Sequence, residues 1–148
     1  MRFQQYDPQQ IEQGVLALWN EKDTYQKLKK KGAKGEKFYF LQGPPYTSGR
    51  LHIGHAWNNT LKDSVLRYKR MKGFNVWDRA GYDMHGLPTE NKVQQKFELE
   101  TKKDILKFGM EKFVGECEKF CVDSAKQMDK DLLRLGVWMD FDNAYYPI

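Results

Sequence analysis

A chain of 148 residues has room for one domain with a sizeable core. Its 40% hydrophobic and 14% aromatic content is ordinarily globular, and no apolar run approaches the roughly 20 residues that span a membrane. Met1 to Gln5 carries no apolar signal stretch, two cysteines are too few for a disulfide framework, and the net charge of +5 suits an anionic partner. A reducing cytoplasm is the natural home for such a chain.

Asp7-Pro8 reads as an N-cap with proline in the first turn, and Ile11, Val15, Leu18 and Trp19 then repeat at helical spacing. Asp23-Thr24 restarts a helix through Leu28 that ends near Gly32 and Gly35. Lys27, Lys29, Lys30, Lys31, Lys34 and Lys37 cluster here, as solvated helix ends or as a patch for a nucleotide or RNA. Phe38 to Leu41 reads as a short buried strand, and Gly43 to Gly49 as a glycine- and proline-rich turn.

The next helix is expected from about His52 to Met71, ended by Gly73. Ile53, Trp57, Leu61 and Val65 step by four along one face, while Lys62, Lys69 and Arg70 suit a more exposed one. Phe74 to Trp77 is a second strand, which completes a βαβ unit with parallel, right-handed connection. Ala80 to Glu90 reads as a loop at the carboxyl end of that strand, the edge where open α/β sheets bind ligands. A helix from Thr89 or Glu90 to about Phe97 follows, with Glu90 as a candidate cap. Thr101 caps a short helix over Asp104 to Phe108.

The last long helix covers Met110 to Leu135, with Phe113, Cys117, Phe120, Cys121, Ser124, Met128, Leu132 and Leu135 on one face and Gly136 as its stop.

The chemistry concentrates in two loops. All three histidines, His52, His55 and His85, fall there. A helix start presents unpaired N–H groups and a positive dipole end, which suit a phosphate, and imidazole donors beside it would stabilise developing phosphoryl charge. Gly54 lets a base or ribose approach the backbone. Asp83 can hold an ammonium group by a charge-assisted bond. Pro44 and Pro45 stiffen the turn and can line a small apolar pocket. Zinc on His52 and His55 is disfavoured, because Cys117 and Cys121 lie on an apolar helix face, so no metal site is expected. The chemistry suggested is nucleotidyl or phosphoryl transfer.

The run from Gly43 to His55, with the tetrad His52-Ile53-Gly54-His55, resembles the first ATP-binding motif of class I aminoacyl-tRNA synthetases. With Pro44-Pro45-Tyr46, Arg67 to Met71, Gly73 to Val76 and the loop Gly81 to Glu90, it is similar to the isoleucyl branch in its archaeal and eukaryotic form. Valyl enzymes usually carry a Gly-Thr-Asp-His-Ala-Gly loop, and leucyl enzymes a phenylalanine where His85 stands. Tyr82 replaces a tryptophan common among relatives, and the resemblance continues through Leu135 to Asp140.

The resemblance implies an α/β fold: the first half of a Rossmann-like nucleotide-binding domain with parallel strands over residues 36–148, behind an N-terminal helical extension over 1–35. It implies ATP and Mg2+ as cofactors, and isoleucine and tRNA(Ile) as substrates. His52 and His55 would be catalytic; Gly43, Gly54, His52 and His55 would bind ATP; Pro44, Pro45, Asp83 and His85 would bind the amino acid.

Family members are several times longer, and this chain lacks their Lys-Met-Ser-Lys-Ser loop, so it is expected to be an N-terminal piece with little or no activity alone. An uncovered face of the last helix, with Phe113, Phe120 and Met128 toward solvent, is expected to favour self-association. The alternatives are an ATP-binding module without turnover, a valyl- or leucyl-type fragment, or a pantothenate synthetase-like nucleotidyltransferase. The Asp83–Glu90 loop argues against the last.

Overall fold

The computed structural model describes residues 7–40 and 43–148. Leu41, at the end of the first expected strand, and the stretch Met1 to Gln5 lie outside them. The chain divides into two compact units, Met1–Phe40 with Lys62–Trp77, and Leu41–Leu61 with Asp78–Ile148.

The first unit begins with α1 (Pro8–Glu21), where the Asp7 carboxylate accepts the Gln9 and Gln10 N–H groups at 3.0 and 3.3 Å. Two orphan donors are thereby satisfied, and Pro8 has no N–H to orphan. A left-handed Asp23 then turns the chain into α2 (Thr24–Gly32). Strand β1 (Lys37–Tyr39) pairs in parallel with β2 (Asn75–Trp77), in the register Phe38 opposite Val76.

Between these strands runs α3 (Ile53–Met71), which passes from the second unit into the first. Its end is a Schellman turn: Phe74 N–H donates to the Lys69 carbonyl, Gly73 N–H donates to the Arg70 carbonyl, and Gly73 takes the required positive φ of 86°.

Two expectations fail here. The first strand is not buried: Tyr39 and Trp77 are exposed, with their rings 5.7 Å apart. Among the described elements β1 and β2 pair only with each other. The second reversal concerns α3. Ile53, Trp57, Leu61 and Val65 are exposed, Ile53 at 85%, whereas Asn59, Asp63, Leu66 and Arg70 form the buried face. Asn59 and Asp63 on that face find partners within the helix. Asn59 Nδ2 donates to the His55 carbonyl at 2.9 Å, Asp63 pairs with Arg67 at 2.5 Å, and Arg67 lies over the Trp19 ring. Burial of charge is tolerated once it is paired.

In the second unit, β3 (Arg79–Gly81) runs parallel to β4 (Asp140–Tyr145), with an irregular register between Arg79 opposite Asp140 and Gly81 opposite Tyr145. Both strands were unforeseen: β3 opens the expected loop, and β4 lies in a polar run without clean alternation. Three helices connect them: α4 (Leu87–Lys96), α5 (Lys102–Phe108) and α6 (Met110–Leu135).

Helix α4 starts two or three residues earlier than expected, at Leu87 behind the N-cap Gly86 with φ 105°, so Glu90 is in its first turn rather than at its cap. Thr101 and Asp104 form a capping box on α5. The buried face of α6 holds Phe113, Cys121, Ser124, Ala125, Met128 and Leu132, while Leu135 is exposed. Phe113 and Met128 are therefore core, contrary to the expected uncovered face. Tyr82 and Met84 pack with Cys121, Ala125 and Met128, and Ala80, Val137 and Met139 pack with Leu132. No helix among the described residues is long and apolar enough to cross a membrane.

Candidate active site

The start of α3 is built by its two histidines. The His52 carbonyl accepts the N–H groups of His55 and Ala56 at 2.9 and 3.2 Å, so His52 is the N-cap. Its Nδ1 accepts the Gly54 N–H at 3.1 Å, and His55 Nδ1 accepts the His52 N–H at 3.3 Å. The exchange has the logic of a capping box, with imidazoles in place of hydroxyl and carboxylate.

It also sets the tautomer. A nitrogen that accepts carries no proton, so in each neutral ring the hydrogen sits on Nε2. Two Nε2–H donors result, on rings whose centroids are 3.9 Å apart. Such a pair can donate to oxygens of an anion at the positive end of the helix. Gly54 has a role here that the sequence did not show. A Cβ on it would lie 2.9 Å from His52 Cε1 and 3.1 Å from Nδ1, so the missing side chain makes room for the His52 ring.

The peptide entering this cap is held from α6. Arg50 Nη2 donates to Asp131 Oδ1 at 2.7 Å, Arg50 Nε and Leu51 N–H each lie 3.4 Å from Oδ2, and Gln127 Nε2 donates to Oδ1 at 3.2 Å. The Arg50 guanidinium holds the Asp131 carboxyl below its usual range.

The second loop is stitched to the first. Asp83 N–H donates to the Pro45 carbonyl and Thr47 N–H donates to the Asp83 carbonyl, both at 2.9 Å, in a parallel bridge between Tyr46 and Asp83. Buried Thr47 adds its hydroxyl to the same Asp83 carbonyl at 3.1 Å. Tyr46 Oη accepts the Thr89 N–H at 3.0 Å and lies 2.7 Å from Thr89 Oγ1 and 3.1 Å from the His85 carbonyl oxygen. Cys121 completes the chain, with Sγ 3.2 Å from Thr89 Oγ1 and donating to the Met84 carbonyl at 2.7 Å. Next to Asp83, the buried Tyr82 hydroxyl donates to Asp129, and burial followed by that carboxylate pushes the Tyr82 pKa up.

The expected site residues thus fall in two sets. Pro45, Asp83 and the backbone of His85 are tied together by the loop pairing, with Pro44 exposed beside Pro45 and Asp83 half-buried. His52, Gly54 and His55 form the helix cap. Gly43 is exposed, with nothing within 4 Å of where a side chain would begin. The His85 side chain is exposed and lines a cavity of about 610 Å³ that neither His52 nor His55 lines. Glu90 and Cys117 share that cavity, and burial, then Glu90, pushes the Cys117 thiol up to about 11.

Sequence reading missed Asp131, Thr89 and Cys121 as supports. Their partners lie 32 to 81 residues away, and no local pattern marks such a pairing. Among the described residues no three His, Cys, Asp or Glu side chains converge as metal ligands.

The chain is 51% identical over 141 residues to an isoleucine–tRNA ligase of Haloquadratum walsbyi, covering 95% of this chain and 13% of that protein. It is 47% identical over 147 residues to the isoleucine–tRNA ligase of Pyrococcus abyssi, covering 99% of this chain and 14% of the relative. The chain therefore spans about one seventh of the length of these curated relatives.

A crystal structure of the ternary complex of Agrobacterium radiobacter K84 agnB2 LeuRS, tRNA and LeuAMS superposes with a TM-score of 0.67 at 30% identity. The match covers 95% of this chain and 16% of that one. The family model described as tRNA synthetases class I (I, L, M and V) matches residues 14–148, so the histidine-capped helix and its paired loop belong to a chain of the class I tRNA synthetase family.

Proposed function

We propose that these residues form the ATP-binding half of an isoleucyl-tRNA synthetase active site, acting in the cytoplasm. The reaction would be attack of the isoleucine carboxylate on the α-phosphate of ATP, with pyrophosphate leaving, followed by transfer of isoleucine to tRNA(Ile). The reciprocal histidine cap supports this reading most, since it supplies two Nε2–H donors at a helix start. Donors fixed before the reaction stabilise charge that develops later, and cost no reorganisation in the transition state. Isoleucine rather than leucine or valine is supported by the names of the most similar relatives and by His85-Gly86-Leu87-Pro88.

On this reading Asp83 would bind the isoleucine ammonium group, with Pro44, Pro45 and His85 bordering the amino acid. Its main chain is fixed by Pro45 and Thr47, so its carboxylate starts from a defined place. Gly43 and Gly54 would lie along the nucleotide. The described side chains offer Mg2+ no cage of their own, which suits an ion that keeps its waters and enters on the substrate phosphates. There it would neutralise phosphate charge.

The 148 residues contain no Lys-Met-Ser-Lys-Ser run, so alone they would bind ATP weakly, charge no tRNA, and self-associate through exposed apolar surface.

Equilibrium dialysis with ATP and with isoleucine tests the assignment. Asp83→Asn should weaken isoleucine binding and leave ATP binding intact; the reverse pattern would give Asp83 another role. Losing one member of a buried charge pair costs about 2–5 kcal/mol, and half-burial places Asp83 at the lower end.

A further inference from the structure

The two histidines cap their own helix, but the peptide that delivers them is held from elsewhere. Arg50 and Leu51 immediately precede His52, and both reach the same carboxylate on α6. We propose that Asp131 is a positioning residue for the histidine pair: by holding Arg50 and the Leu51 N–H it fixes the peptide entering α3 and so keeps both imidazoles in the Nε2–H form.

Asp131 is suited to this task. Its side chain is 16% exposed, whereas that of Arg50 is 76% exposed. An ion pair this open adds little to global stability. Its strength lies in direction, because the guanidinium meets the carboxylate with Nη2 and Nε together while Leu51 N–H approaches Oδ2. Gln127, one turn earlier on α6, donates to Oδ1 and limits the carboxylate's own rotation.

The neighbouring Leu132 is buried in the core, so the anchor stands on a fixed part of the helix. His52 Nδ1 can accept the Gly54 N–H only while the His52 backbone holds its N-cap conformation. Release of Arg50 and Leu51 frees the residue before that cap, and each ring then exchanges between its two neutral tautomers.

The consequence for ATP rests on the functional reading above; the tautomer claim does not. The test uses the whole 148-residue chain with ¹⁵N-labelled histidine, whose three imidazoles give a readable spectrum with His85 as internal reference. Asp131→Ala, Asp131→Asn and Arg50→Gln are compared with the parent by long-range ¹H–¹⁵N correlation, by thermal melting and by ATP titration.

The parent should show His52 and His55 as Nε2–H tautomers. Asp131→Ala and Arg50→Gln should convert both to mixtures and leave His85 and the melting temperature little changed. Asp131→Asn, which keeps an acceptor for Leu51 but loses the charge, should fall between. ATP affinity should weaken about tenfold in Asp131→Ala, the lower end of what loss of a supporting partner costs histidine metal ligands.

A parent that already shows mixed tautomers, or variants that keep the parental ones, overturns the proposal. Should Asp131→Ala fail to fold, Arg50→Gln and Asp131→Asn decide by the same spectra. Tautomers that depend on Asp131 with no response to ATP leave the positioning role standing and remove the nucleotide reading. A strong ATP response with tautomers indifferent to Asp131 does the opposite.

Discussion

At the scale of single residues, the site owes its shape to what is missing as much as to what is present. Gly54→Ala adds a Cβ that meets the His52 ring at 2.9 Å, close enough to force the imidazole aside. Alanine is also a better helix former by about 1 kcal/mol. The two effects oppose each other in stability, so unfolding should change by about 1 kcal/mol or less, while ¹⁵N spectra should show His52 losing its single tautomer. An unchanged His52 spectrum would mean that the ring does not depend on the space over Gly54.

Cys117 offers a second check. Its folded pKa is raised to about 11, so its contribution to stability is complete below the unfolded value and is lost as pH rises toward 11. The native thiolate fraction at pH 8 should be about a hundredfold below that of a free thiol. Iodoacetamide should accordingly label Cys117 slowly at pH 8 in the native chain and quickly after denaturation. Equal rates would contradict its placement.

The placement of His52 and His55 at a helix start, and of Asp83 beside the glycine- and proline-rich turn, was legible from residue order alone. The tautomer was not, because it depends on which backbone N–H each ring meets.

At the scale of elements, periodicity located helices well and their orientation poorly. Helix α6 was read at its observed ends, and five of its expected apolar positions (Phe113, Cys121, Ser124, Met128 and Leu132) are buried. Helix α3 shows the failure. Its apolar stripe and its buried stripe have the same 3.6-residue period, and only tertiary packing, with Leu66 fully buried and Arg67 over the Trp19 ring, reveals which one faces inward. Strands β3 and β4 escaped notice because a three-residue strand and a polar six-residue strand carry almost no alternation.

A direct experiment follows for α3. Trp57→Ser and Leu61→Ser should change unfolding free energy by no more than about 0.5 kcal/mol, as surface changes do, and should reduce self-association in sedimentation velocity. Leu66→Ala, at 0% exposure, should cost about 2–5 kcal/mol. Large destabilisation by the first pair would restore the original reading of the helix.

At the scale of the molecule, two β–α–β passages of very different length share one chain. In the first, a single helix links β1 to β2; in the second, three helices link β3 to β4. The first was visible in the sequence because strand, glycine turn, helix and strand followed within forty residues. The second was not, since its strands are separated by 58 residues that local patterns cannot bridge. Family membership rests on residues 14–148 together rather than on the tetrad alone.

The central claim is that His52 and His55 serve adenylate formation from isoleucine. These 148 residues should be placed in the Pyrococcus abyssi isoleucine–tRNA ligase in exchange for the 47% identical segment, and isoleucine-dependent ATP–pyrophosphate exchange measured. The account predicts exchange in the chimera, reduced by about 10²–10³-fold in His52→Ala and in His55→Ala, the scale for losing one preorganised donor. A folded chimera whose exchange is indifferent to both substitutions would contradict it.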